Sequence, residues 1–140
     1  MDSELVRTEV DGPVCIITLH RRDKRNAFDL QLTTALSDAL DRFEGDPKLW
    51  VAVLSGGPDM FSAGSDLKEG SGQTDRGGEY GIIRRKRVKP IIAAAEGIAL
   101  GGGLEILFCQ DSQSCFSAPY THAPLRSFCW RCPFPATARL

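Results

Sequence analysis

The chain has 140 residues, 42% of them hydrophobic, and a formal net charge of −1. That length supports one domain with a sizeable core, and the near-neutral balance offers no field that would gather nucleic acid or anionic lipid. Residues 1–4 carry no basic stretch leading into an apolar core and no apolar run reaches membrane-spanning length, so a cytoplasmic location is expected. Five cysteines, three of them in the last 26 residues, do not make the pattern of a disulfide framework.

In chain order, residues 14–19 (VCIITL) are β-branched and apolar and follow the Asp11-Gly12-Pro13 turn. They predict a strand paired antiparallel with residues 6–10. Residues 20–27 form a basic loop. Asp29 then stands where a helix N-cap belongs, and Leu32, Ala35, Leu36, Ala39, Leu40 and Phe43 repeat at helical spacing up to Gly45 and Pro47. Residues 49–55 (LWVAVLS) read as a strand covered on both faces, ending in Gly56-Gly57-Pro58. Residues 70–78 have the composition of a flexible loop, residues 79–88 (EYGIIRRKRV) predict a basic helix, and Pro90 stops it before a buried strand at 91–95. Alternating strands and helices of this kind argue an α/β domain with parallel strands joined by helices.

Two glycine turns follow two of these strands: Ala63-Gly64-Ser65 and Gly101-Gly102-Gly103. If the strands are neighbours, both turns lie at the carboxyl edge of the sheet, where open α/β sheets place ligands. Glycine admits close approach of the backbone, and a turn entering a helix leaves N–H groups without intrahelical partners. Two such groups aimed at one point would form an oxyanion hole; two tight connections with no ligand are the plainer alternative. Glu105, after the triple glycine and one leucine, is either a solvated acid at a helix start or a carboxylate with chemistry to perform. No Lys-Ser/Thr pair follows Gly103, which argues against a phosphate-binding loop, and no G-x-S-x-G elbow supports a serine nucleophile.

Residues 61–69 (FSAGSDLKE), residues 89–105 (KPIIAAAEGIALGGGLE) and the opening at residues 14–27 (VCIITLHRRDKRNA) together resemble the enoyl-CoA hydratase/isomerase, or crotonase, family across residues 5–111. The resemblance implies a crotonase-like spiral of ββα units and an acyl-CoA substrate, with coenzyme A as part of the substrate and no separate metal or redox cofactor. It implies that the backbone N–H groups of Ser65 and Gly102 hold the thioester oxygen. Lys24, Arg25 and Ala27 would lie along the CoA path, Ala63 against the adenine, and Ser65, Asp66, Leu67 and Lys68 in the substrate-binding segment. Glu105 matches the first of two catalytic glutamates in the hydratases; one activates water for attack at Cβ and the other supplies the proton at Cα. Family members also form trimers.

The resemblance stops near Asp111. All 18 acidic residues lie at or before Asp111, where 14 basic side chains accompany them, and only Arg126, Arg131 and Arg139 carry charge beyond it. The second glutamate, expected about twenty residues after Glu105, is replaced by Pro124-Leu125-Arg126. Residues 1–111 therefore read as a partial acyl-CoA-binding domain and residues 112–140 as an irregular tail that adds nothing to the core, with the look of a shifted reading frame. In that tail Cys115, His122, Cys129 and Cys132 offer a weak Cys3His zinc reading, against which free thiols are the simpler one. Arg84, Arg85, Lys86 and Arg87 could draw CoA phosphates, but a solvated helix face is the commoner outcome. The expected activity is enoyl-CoA hydration, weak or lost; the alternative is a non-catalytic product that at most binds CoA or a full-length paralogue.

Overall fold

The computed structural model describes residues 4–109 and the strand at 112–115. Strands β1 (Val6–Asp11) and β2 (Val14–Leu19) form an antiparallel hairpin closed at Gly12, and a 3-10 turn (Arg22–Lys24) leads to α1 (Leu30–Gly45). Strand β3 (Val51–Ser55) joins β2 in parallel and is followed by the short β4 (Met60–Ser62). A small hairpin, β5 (Gln73–Thr74) and β6 (Gly78–Glu79), precedes β7 (Ile91–Ala95), β8 (Ile98–Ala99), α2 (Gly102–Phe108) and β9 (Ser112–Cys115). The main sheet runs β1-β2-β3-β7-β9, parallel from β2 onward, while β4 and β8 pair in parallel as a separate ribbon.

Cys15, Ile17 and Leu19 of β2, Ala52 and Leu54 of β3, and Ile91, Ala93 and Ala95 of β7 alternate onto one buried face of the sheet. They share a core with Leu32, Leu36, Ala39, Leu40 and Phe43, the apolar stripe of α1. Truncating a fully buried leucine such as Leu36 to alanine costs about 2–5 kcal/mol in such a core. Asp29 caps α1, its Oδ1 accepting the Leu32 N–H at 2.8 Å. At the other end Lys89 donates to the carbonyls of Phe43 and Asp46, where a cation is favoured.

Several expectations are corrected. Residues 79–88 are not a helix: after β6 the chain runs through turns, with Tyr80 at φ 55° and Gly81 at φ 74°. Two consecutive left-handed residues cannot continue a right-handed helix, so local periodicity yields to backbone geometry. The flexible loop at 70–78 contains the β5–β6 hairpin. The strand expected from Leu49 begins at Val51, and its second face (Val51, Val53, Ser55) is half-buried rather than covered. Beyond the boundary expected at Asp111, β9 adds to the edge of β7 in register Ile92 with Ser112. Main-chain pairing to an open edge is indifferent to side chains, which is why Ser112-Gln113-Ser114-Cys115 carries no apolar signal. The proposed zinc ligands His122, Cys129 and Cys132 and the Pro124-Leu125-Arg126 segment lie outside the described residues.

Candidate active site

The turn after β4 is built by its neighbours. Asn26, 1% exposed, donates its side-chain amide to the carbonyls of Gly56, Met60 and Phe61 at 2.9, 3.2 and 3.1 Å. Ser62 Oγ donates to the Asn26 carbonyl at 2.8 Å and accepts the Gly64 N–H at 3.1 Å. Gly64 sits at φ 92°, a conformation open chiefly to glycine. On one side Phe28 pairs with this turn as a parallel bridge: its N–H donates to the Gly64 carbonyl at 2.7 Å and its carbonyl accepts the Asp66 N–H at 2.8 Å. The residue between, Ser65, therefore turns its own N–H away from Phe28.

The second turn is laced to the first. The Leu100 N–H donates to the Ser62 carbonyl at 3.0 Å, and a Cβ on Gly103 would stand 2.9 Å from that of Ser62. Gly101, at φ 49°, turns the chain into α2, so that Gly102 supplies the first helical N–H. A Cβ added to Gly64 would lie 3.0 Å from the Gly102 nitrogen and 2.8 Å from the Leu100 carbonyl oxygen. The Ser65 and Gly102 N–H groups make no backbone hydrogen bond among the described residues. Two unspent donors thus belong to two turns in van der Waals contact.

Glu105 lies one helical turn beyond Gly102 on α2 and is exposed. Positions i and i+3 share a helix face, and helical side chains lean toward the N-terminus, so its carboxylate belongs to the Gly102 side of the helix. Facing the same two turns is Tyr80, whose hydroxyl is 3.0 Å from Ser65 Oγ and whose ring meets Phe28 edge-on at 5.3 Å. A Cβ on Gly102 would overlap the Tyr80 hydroxyl and Cζ.

Charge also braces the Ser65 turn. Arg21 reaches Asp29 at 2.8 Å and Asp66 at 3.0 Å, and donates to the Ala27 carbonyl at 2.8 Å. The Asp66 carboxyl is held below its ordinary range by the backbone N–H of Lys68, by Arg21 and by the N–H of Glu69. Leu67 and Lys68 are exposed beyond it. Of the residues expected along the CoA path, Lys24 and Arg25 are exposed and Ala27 is buried, while the half-buried Ala63 donates its N–H to the Arg25 carbonyl at 3.0 Å. A cleft of about 240 Å³ opens beside Arg22, Arg25 and the turn at residues 56–60.

Residues 9–120 match the enoyl-CoA hydratase/isomerase family. The chain belongs to that family. A mevalonyl-coenzyme A hydratase of Aspergillus fumigatus is 37% identical, the match covering 67% of this chain and 38% of that protein. A carnitinyl-CoA dehydratase of Salmonella enteritidis is 38% identical over 81% of this chain and 46% of its own length. Among solved structures, an enoyl-CoA hydratase from Mycobacterium tuberculosis superposes with a TM-score of 0.73 at 36% identity, covering 79% of this chain and 45% of that one. A carnitinyl-CoA hydratase from Mycobacterium avium gives 0.72 at 35% identity, with 79% and 46% covered. The fold is thus the crotonase fold, present in part, and the chain spans under half the length of these relatives.

The turns of Ser65 and Gly102 meet, Asp66 follows Ser65 directly, and Glu105 stands exposed three residues along α2 from Gly102. Sequence reasoning missed Arg21, Asn26, Ser62 and Tyr80. For Asn26, at φ 53°, its residue type was a usable signal, since asparagine tolerates the left-handed region. For Tyr80 the flanking Gly77, Gly78 and Gly81 were the signal against a helix. Arg21 gave none, because its partners lie 8 and 45 residues away.

Proposed function

We propose that the chain binds the thioester of an acyl-CoA and stabilises the enolate oxygen between the backbone N–H groups of Ser65 and Gly102. The observation that carries this reading is the pairing of two adjacent turns whose N–H groups are unspent. In enoyl-CoA hydration, water adds at Cβ, the electron pair of the Cα–Cβ double bond moves onto the carbonyl oxygen, and a proton then returns to Cα. The negative oxygen exists only along that path, so fixed dipoles aimed at it lower the barrier without tightening the ground state. Glu105 serves as one of the two carboxylates this chemistry uses. The relatives named as hydratases and dehydratases of CoA thioesters support the same reaction class.

No Asp or Glu follows Asp111, so the second carboxylate has no counterpart in the sequence. Hydration by this chain is therefore weak or nil. Calorimetric titration with CoA and crotonyl-CoA, beside a hydration assay, tests both parts. Saturable thioester binding is expected, with turnover far below that of intact hydratases. Absence of any binding sinks the acyl-CoA reading, and turnover equal to intact hydratases sinks the impairment. A second reading, a non-catalytic product that binds CoA or a full-length paralogue, is favoured by the same missing carboxylate. It requires binding with no turnover at all.

A further inference from the structure

We propose that the Tyr80 phenol is a third hydrogen-bond donor to the acyl-CoA carbonyl oxygen, beside the two backbone N–H groups. The proposal rests on the oxyanion reading above and extends it to a side chain. Tyr80 is 7% exposed, and its ring is clamped edge-on to Phe28. Its backbone adopts φ 55°, which a bulky aromatic residue rarely does without a compensating reason. That conformation drives the hydroxyl between the two turns: 3.0 Å from Ser65 Oγ on one side and against the Cα of Gly102 on the other. Only glycine at position 102 leaves room for it.

The proton count then decides what the hydroxyl can do. Ser65 and Tyr80 each bring one O–H, and among the described residues their side chains share a single hydrogen bond with each other. One proton satisfies that bond. With Ser65 donating to the phenol oxygen, the Tyr80 proton is left over, at a point bordered by Gly102, where the carbonyl oxygen would sit. A phenol O–H suits a developing enolate oxygen because it is a directed donor held in place before reaction.

The test uses the whole chain and a chromophoric thioester, 4-dimethylaminocinnamoyl-CoA, whose absorption moves to the red as its carbonyl is polarised. Tyr80→Phe keeps the ring and its packing on Phe28. It is expected to show a smaller red shift and about three- to tenfold weaker thioester binding, while free CoA binds within about twofold of the wild type. An unchanged or larger shift in Tyr80→Phe overturns the proposal, as does an equal loss of thioester and CoA affinity, which would mark a structural role. Wild-type protein that binds the probe without any red shift overturns the oxyanion reading as well. Matching melting temperatures for wild type and Tyr80→Phe confirm that folded species are compared.

Discussion

Gly64 and Gly102 approach so closely that a methyl group on the first would press on the amide nitrogen of the second, at 3.0 Å. Alanine at position 64 meets two obstacles: a φ of 92° that an L side chain rarely adopts, and the Leu100 carbonyl oxygen at 2.8 Å. The left-handed backbone alone costs about 1–3 kcal/mol. Relief of the collision requires the two turns to part, which separates the Ser65 and Gly102 donors. Gly64→Ala is expected to fold with a lowered melting temperature and to lose the red shift of the bound thioester probe entirely. Circular dichroism and the probe titration read the two effects separately, and a variant with wild-type polarisation would show that the spacing of the turns is unimportant.

Arg21 ties the start of α1 to the Ser65 turn through Asp29 and Asp66. Asp29 is also the helix cap, so Arg21→Met leaves an acid that is 4% exposed without its cation. Breaking a buried pair of this kind costs about 3–5 kcal/mol. Arg21→Lys is expected to recover only part of this, because a single ammonium cannot serve both carboxylates and the Ala27 carbonyl with the planar fork of arginine. Urea unfolding of the three proteins gives the order wild type, Lys, Met; equal midpoints for Lys and wild type would show that charge alone suffices.

The parts of the fold that were legible in the sequence are those with strong local signals. The alternating residues of β2, the N-cap and stripe of α1 and the paired glycine turns each announce themselves within about ten residues. What escaped depends on distance. The burial of Arg85 is decided by Asp41 and Glu44 on a helix some forty residues earlier, and no window around Arg85 contains that information. Tyr80 was read into a helix because the Ile82, Ile83 and Arg84 run has good helical composition, whereas Gly78 and Gly81 at φ 65° and 74° decide the conformation. Ser112–Cys115 joins the sheet by parallel pairing with β7, a long-range contact that no local pattern announces. The turns at Gly64 and Gly101 were legible because glycine, unlike arginine, marks its geometry in the sequence itself, at φ 92° and 49°.

Asp66 makes stability depend on pH with a definite sign. Its carboxyl is held down by the Lys68 N–H, Arg21 and the Glu69 N–H, so its folded value lies below the unfolded one near about 4. A depressed acid contributes stability in full above the unfolded value and loses it as pH falls through the folded value. Asp66→Asn should therefore melt below wild type at neutral pH, with the gap closing as the solution is acidified below about pH 4. Melting curves across that range decide it. A gap that is constant with pH would mean that the carboxylate charge is not what braces the turn.

Arg85 and Arg76 bind the same two acids from opposite environments. Arg85, with a side chain 1% exposed, reaches Asp41 at 2.6 Å and Glu44 at 3.0 Å, and donates to the carbonyl and hydroxyl of Ser37 at 3.1 and 2.9 Å. Arg76, 60% exposed, reaches Asp41 at 2.9 Å and Glu44 at 3.2 Å. The basic run at residues 84–87 is therefore no uniform solvated face: its second member anchors the segment that follows Tyr80 onto α1. Arg85→Met leaves Glu44, 5% exposed, with the surface side chain of Arg76 as its one ion-pair partner among the described residues and is expected to cost about 3–5 kcal/mol. Arg76→Ala removes a screened surface contact and should cost less than about 1 kcal/mol. Because both arginines serve the same carboxylates, the double variant should lose more than the two single losses combined, since neither can then cover for the other. Denaturant titration of the four proteins completes the cycle, and strictly additive losses would show that the two ion pairs act independently.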